Sequence, residues 1–202
     1  MRIIGGQAAG RIIRVPEGLG VRPMPDKVKL AVFNSLGDRV VDAQVLDLFA
    51  GTGALGHECL SRGARSLYSV ERSEKHARCY RHNLAVTGLP ESAVELRVMD
   101  VFSALPHLLA AGRRFDLVIA DPPYGEKNLG RRSRSAAQRL LDDPSLPQLL
   151  VPGGLFILGH ARRDTLELGS LWVERRTLRH GDTLIRFLDA AAPPPTSSDV
   201  SG

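Results

Sequence analysis

Four short strand-like segments, at residues 45–49, 66–71, 94–98 and 115–120, each contain or lead into an acid, namely Asp47, Glu71, Asp100 and Asp121. Helix-length segments at 53–61, 73–87 and 101–111 separate the runs, and another at 135–141 precedes a further strand at 154–160. Strands that alternate with helices in this way predict a doubly wound, mainly parallel α/β sheet. Such sheets bind ligands at the carboxyl ends of their strands. Four acids at successive strand ends would line one edge, which a purely structural sheet has no need of. The last runs, about 171–179 and 183–188, flank His180-Gly181-Asp182 and read as an antiparallel hairpin.

The first of these strands runs into Ala50-Gly51-Thr52-Gly53-Ala54-Leu55-Gly56 and then a helix. A glycine turn at a strand end lets a ligand approach the backbone closely, with the helix N-terminus behind it. Gly51, Gly53 and Gly56 also satisfy G-x-G-x-x-G, and Glu71 stands where the ribose-binding acid of a dinucleotide fingerprint falls. The glycines alone do not separate a nicotinamide dinucleotide from S-adenosylmethionine. Asp47 favours the second, since an acid beside the loop attracts an ammonium and a sulfonium and repels a pyrophosphate. An acid inside an apolar strand is costly unless it is paired or used.

Asp121-Pro122-Pro123-Tyr124 closes the strand at 115–120. Two prolines fix φ and donate no hydrogen bond, and the first holds Asp121 toward an extended conformation. The result is a stiff exit carrying an acceptor carboxylate, a free Pro122 carbonyl and an aromatic ring. Acceptors beside a stacking face suit a planar base with an exocyclic NH2 group. This chemistry fits adenine N6 and cytosine N4 as well as guanine N2.

The 202 residues predict one main domain at 25–189, a basic hairpin extension at 1–24 and a disordered Pro/Ser-rich tail at 190–202. No apolar run approaches membrane-spanning length, and the start lacks the apolar core of a signal peptide, so a cytoplasmic protein is expected. Cys59 and Cys79 read as reduced and buried, and they form no metal-ligand cluster with the histidines. The net charge is +5 and is unevenly spread. Arg2, Arg11, Arg14 and Arg22 lie in the extension, and Lys127, Arg131 and Arg132 follow the Asp-Pro-Pro-Tyr stretch. A charge run is most often a solvated face, but basic segments beside a base-stacking motif point to a polyanion. In the extension, Ile3, Ile4, Ile12 and Ile13 are expected to give an apolar face toward the protein, leaving the arginines for phosphates.

Arg2-Ile3-Ile4-Gly5-Gly6-Gln7, Gly10-Arg11, Leu19-Gly20-Val21-Arg22-Pro23, Val32-Phe33-Asn34, the Asp47 to Gly56 segment, Asp121-Pro122-Pro123-Tyr124 and Gly181-Asp182-Thr183 occur in that order. Together they resemble the RsmD-type 16S ribosomal RNA guanine-N2 methyltransferases, over residues 1 to about 188. The resemblance implies a Rossmann-like class I methyltransferase fold with a terminal antiparallel hairpin and a small N-terminal β-hairpin. It implies S-adenosylmethionine as cofactor, no metal, and a guanine of 16S rRNA in the small subunit or its assembly intermediate as target. Cofactor contacts are then expected from Asp47, Phe49, Gly51, Gly53, Glu71, Arg72, Asp100 and Val101. Glu71 would serve the ribose and Asp100 the adenine amine; Asp100 also suits a helix N-cap. Asp121, Pro122 and Tyr124 would be catalytic. Arg2, Arg11, Arg14, Arg22, Lys127, Arg131 and Arg132 would contact RNA.

The chain departs from the family pattern where Met24 and Pro25 replace a capping hydroxyl, and where Lys29-Leu30 stands for Arg-Glu. The runner-up reading is a DNA adenine-N6 or other amino-directed methyltransferase. A nicotinamide-linked or non-enzymatic Rossmann protein leaves Asp47 and the double proline unexplained.

Overall fold

The computed structural model describes residues 1–15, 24–124 and 131–192. The motif at 19–23 with Arg22, the segment with Lys127, and the tail from 193 lie outside them. In chain order the elements are α1 (Asp26–Leu36), β1 (Gln44–Leu48), α2 (Ala54–Ser61), β2 (Ser66–Glu71), α3 (Glu74–Thr87), β3 (Val94–Val98), α4 (Val101–Ala110), β4 (Phe115–Ala120), α5 (Ala136–Asp142), α6 (Ser145–Gln148), β5 (Leu150–Ala161), β6 (Trp172–His180) and β7 (Thr183–Ala190).

The strands form one sheet in the order β3-β2-β1-β4-β5-β7-β6. The first five are parallel, β7 is antiparallel to β5, and β6 is antiparallel to β7. From β1 the chain winds outward through β2 and β3, then returns to place β4 on the other flank of β1. The reversal sits between β1 and β4, where a doubly wound sheet opens its ligand crevice.

The central strands are apolar throughout because both faces are covered. Val45 of β1, Leu117 and Ile119 of β4, and Leu155 and Ile157 of β5 face one core with α1, α2 and α3. Leu46, Leu48, Val118, Ala120, Phe156 and Leu158 face the other with α4, α5 and α6. The side-chain period of two delivers alternate residues to the two cores. At the edge, β3 is only partly buried. Among the described residues, no helix is long and apolar enough to cross a membrane.

The N-terminal segment folds back on itself as a short antiparallel pair. A bridge joins Arg2 and Ile12, and Ile3 N–H to Arg11 O, Gly10 N–H to Ile3 O and Ile13 N–H to Met1 O are each 2.9 Å. The pair also docks on α2. Gln7 N–H reaches Ser61 O at 2.7 Å, Ala8 N–H reaches Ser61 Oγ at 2.9 Å, and Ile4 N–H reaches Glu58 Oε2 at 2.8 Å. A Cβ on Gly6 would collide with the Ser61 carbonyl, which explains the paired glycines of the opening motif. Ile3 and Ile13 are fully buried and Ile4 half-buried, but Ile12 is 73% exposed, so the expected apolar face does not include Ile12.

The departures around α1 also take structural form. No side chain caps the helix, whose N-cap is Pro25. Lys29 is completely buried, donating to Arg2 O at 2.5 Å and lying 3.7 Å from both Asp26 and Glu58. Leu30 points outward at 47% exposure. Cys59 is buried as expected. Cys79 is half-buried, its thiol 3.4 Å from Arg14 O.

Candidate active site

A cleft of about 780 Å³ opens at the carboxyl ends of β1, β2 and β4. Its walls include Asp47, Glu71, Asp100 and Asp121, the four acids that end successive strands.

The loop after β1 reverses direction sharply. Phe49 adopts φ +59°, a left-handed conformation rare outside glycine, and Gly51 follows at φ +57°. Such strain persists only where the surrounding structure imposes it. A Cβ on Gly51 would meet only Phe49 O, at 3.8 Å, so this glycine leaves open space in the cleft wall. Gly53 is not among the cleft-lining residues, and a Cβ there would strike the His57 ring beneath the loop. Its φ of +86° and that buried ring already require a glycine at this position.

Asp47 is 2% exposed, and its Oδ2 accepts the Gly56 N–H at 3.1 Å. A Cβ on Gly56 would come within 2.6 Å of that oxygen. The third glycine therefore lets a carboxylate reach the first turn of α2. A dinucleotide would place its pyrophosphate at that helix start, against this acid. Burial pushes the Asp47 pKa up to about 8, with Glu71 and Asp121 adding to the rise and the Gly56 bond opposing it.

Glu71 wires β2 to the loop. Its Oε2 accepts Gly51 N–H and its Oε1 accepts Ser73 N–H, both at 2.8 Å, with His76 Nδ1 at 3.3 Å. Arg72 is exposed on the rim. On the opposite side Asp100 caps α4, accepting Phe102 N–H at 2.9 Å, and is exposed to the cleft. Val101 is buried in the wall. Phe49 meets Phe102 edge-to-face at 6.1 Å, and the Arg139 guanidinium lies 3.5 Å from the Phe102 ring centre. Together these give an apolar wall with a carboxylate at one end.

Asp121 leaves β4 at the switch point. Its Oδ1 is sealed and has no hydrogen-bond partner among the described residues. The seal is Gly159 of β5, where a Cβ would come within 2.6 Å of that oxygen. Burial pushes the Asp121 pKa up to about 7. Pro122 is buried and Pro123 exposed. Tyr124 is half-buried, its hydroxyl 2.7 Å from Thr183 Oγ1 at the start of β7. A carboxylate, a proline turn and an aromatic ring thus share one edge of the cleft with the glycine loop opposite.

A family model described as conserved hypothetical protein 95 matches residues 1–189. The chain belongs to this family, the RsmD-type methyltransferases. It is 40% identical over 124 residues to the ribosomal RNA small subunit methyltransferase D of Escherichia coli (strain K12), covering 61% of this chain and 60% of that relative. It is 36% identical over 126 residues to the protein of the same name from Haemophilus influenzae, covering 61% and 64%. The chain therefore spans about 60% of the length of the E. coli relative. Among solved structures, a hypothetical protein of Thermus thermophilus superposes with a TM-score of 0.76 at 28% identity, over 94% of this chain and 99% of that one.

The basic residues expected to contact RNA differ in their surroundings. Arg11, Arg14 and Arg131 are exposed. Arg2 is tied to Asp26 at 3.1 Å. Arg132 is held between Asp142 at 2.6 Å and Glu167 at 3.0 Å, which commits its guanidinium to the protein's own surface. Sequence reasoning missed Gly159 and His57, and it counted Arg139 only as one of the basic residues after the double proline. Gly159 and the ring contact of Arg139 are revealed by partners remote in sequence, Asp121 and Phe102. Asn83 was missed too. It is fully buried, and its amide binds Arg14 and the Thr52 carbonyl together.

Proposed function

We propose that this protein transfers a methyl group from S-adenosylmethionine to the exocyclic N2 amine of a guanine in 16S ribosomal RNA, acting in the cytoplasm on the small subunit or its assembly intermediate. The observation that carries this reading is the convergence of Asp47, Glu71 and Asp121 on one cleft, two of them with raised pKa values. Carboxylates crowded in this way favour a cationic ligand. The open wall at Gly51 and the apolar wall of Phe49, Val101 and Phe102 suit a nucleoside carrying that cation.

Asp47 would hold the ammonium end, Glu71 the ribose hydroxyls and Asp100 the adenine amine. When bound, S-adenosylmethionine supplies an electrophilic methyl on a sulfonium. The guanine amine is a poor nucleophile because its lone pair is drawn into the ring. Asp121 and the Pro122 carbonyl accept its hydrogens and turn the lone pair out of conjugation. This is catalysis by positioning and preorganised acceptors. Asp121, raised to about 7, is suited to hold the proton that the amine sheds. Tyr124 offers a ring for stacking, worth about 1–3 kcal/mol per base. The names of the E. coli and H. influenzae relatives support ribosomal RNA of the small subunit as substrate.

The test incubates the protein with labelled S-adenosylmethionine and undermethylated 30S subunits, free 16S rRNA or duplex DNA, followed by nucleoside analysis. N2-methylguanosine from 30S subunits is expected. N6-methyladenine from the DNA arm would replace this reading with the amino-directed DNA alternative.

A further inference from the structure

Residues 11–15 run beside α3, and Asn83 fixes the contact. Its Oδ1 accepts Arg14 N–H at 2.8 Å, and its Nδ2 donates to Arg14 O and to Thr52 O, both at 2.9 Å. One buried amide thereby fastens the N-terminal segment, α3 and the glycine loop together. Arg14 is exposed at this junction, and Arg11, three residues before it on the same segment, is exposed as well. On α3 itself Lys75, Arg78 and His82 are exposed, and their i, i+3, i+7 spacing puts them on one stripe. Cys79 and Asn83, which touch Arg14, flank that stripe. The one acid of α3, Glu74, is paired with Arg81 at 3.2 Å. The helix begins at the cleft, where Arg72 forms part of the rim.

We propose that Arg11, Arg14, Lys75 and Arg78 form a single basic strip across the N-terminal segment and α3 that binds the sugar-phosphate backbone of the RNA flanking the target base. The strip deepens the reading above and rests on it for the identity of the polyanion. Sequence alone separates the two halves by some sixty residues, and the Asn83 clamp joins them. The strip ends at the cleft mouth, so a strand lying along it delivers a neighbouring base toward Asp121. Arginine and lysine contacts to phosphate carry no base preference, so the strip supplies affinity and register.

The test compares wild type with the double variant Lys75→Glu/Arg78→Glu, and with the milder Lys75→Ala/Arg78→Ala should the first fold poorly. Both positions are exposed and outside the cleft. The KM for 30S subunits is expected to rise about tenfold or more, with kcat and S-adenosylhomocysteine affinity unchanged. The log–log salt dependence of subunit binding should become shallower by about 1–2 units, since each lost phosphate contact removes roughly 0.7–0.9. Arg81→Ala, at a position already committed to Glu74, should change the slope little. If wild type methylates 30S subunits and the double variants keep its KM and slope, the strip is only a solvated face. If wild type binds subunits with the expected slope yet methylates no guanine, the strip survives and the reading of the reaction fails.

Discussion

Gly159 of β5 lies against Asp121, so that a Cβ at position 159 would sit 2.6 Å from Asp121 Oδ1. The parallel register that pairs Ala120 with Leu158 brings the two together one residue further on. Gly159→Ala should push the carboxylate out of place without changing any group that meets the cofactor. A displacement of about 1 Å at a reacting group can cost about 100-fold in rate. We expect kcat on 30S subunits to fall by that order, with calorimetric affinity for S-adenosylhomocysteine within about threefold of wild type. Asp121→Ala should abolish transfer with the same preserved affinity. An active Gly159→Ala variant would show that Asp121 has room to move and that its fixed position is not needed.

The acids of the cleft make a signed prediction for pH. Asp47 and Asp121 are raised to about 8 and about 7. Between pH ~4 and pH 8 the folded, ligand-free protein therefore keeps protons that the unfolded chain has released. Raising the pH through that window costs folding stability. His57 acts in the opposite sense, since burial lowers its pKa to about 3 and its contribution is lost as the pH falls below its ordinary value near 6.5. The melting temperature of the ligand-free protein should thus decline from about pH 6.5 to pH 8.5, and Asp47→Asn should flatten the decline. A cationic ligand favours the ionised acids. S-adenosylmethionine should accordingly bind more tightly as pH rises across the same range and release protons on binding. Calorimetry in buffers of different ionisation enthalpy reads this directly. Proton uptake, or an affinity that falls with pH, would contradict an anionic cleft.

The strands β2, β3 and β4 are legible to the residue because each is a short apolar or alternating segment bounded by an acid, a proline or a turn. The cap role of Asp100 is also legible, since a capping bond lies within one turn of chain. The role of Gly53 is not. Its pattern says only that a side chain is excluded, and the fold supplies an excluding group in the His57 ring below the loop. The N-terminal segment follows the same logic. Its two isoleucine pairs around a glycine turn suggest a hairpin, and the pairing is there, but the bonds to Ser61 and Glu58 that dock it lie more than fifty residues away. Gly159 and Asn83 carry no local signal at all, because their importance is created by neighbours that only the fold supplies.

Glu71 combines a structural duty with its proposed contact to ribose. It takes the backbone N–H groups of Gly51 and Ser73, so removing the carboxylate leaves two donors at the cleft wall unpaired. Each such loss costs about 1–3 kcal/mol when the group is buried. Glu71→Ala should weaken S-adenosylhomocysteine binding at least tenfold. Glu71→Gln, which keeps one acceptor, should fall between it and wild type. Equal and unchanged affinity in both folded variants would remove this side chain from the cofactor site.

Lys29 and Glu58 test how the N-terminal segment is held. Both side chains are completely buried, 3.7 Å apart, and Glu58 also accepts from Arg62 and from Ile4 N–H at 2.8 Å each. Burial lowers the Lys29 pKa, and the two carboxylates only partly offset it. Breaking a buried pair leaves an uncompensated charge and typically costs about 3–5 kcal/mol. Lys29→Met leaves Glu58 with Arg62 as a remaining partner, so a loss near the lower end, about 3 kcal/mol, is expected. Glu58→Gln leaves Lys29 with the half-exposed Asp26 as its remaining charged partner beside the Arg2 carbonyl, and should cost at least as much. Lys29→Arg should keep most of the stability because it keeps the charge. In Lys29→Met the lost bond to Arg2 O should also loosen residues 1–13, visible as faster amide exchange at Ile3, Ile4 and Ala8 than at β1. Denaturant unfolding gives the first quantity and hydrogen exchange the second. A Lys29→Met protein with wild-type stability and unchanged exchange at Ile4 would mean that apolar packing of Ile3 and Ile13 holds the segment without the buried charges.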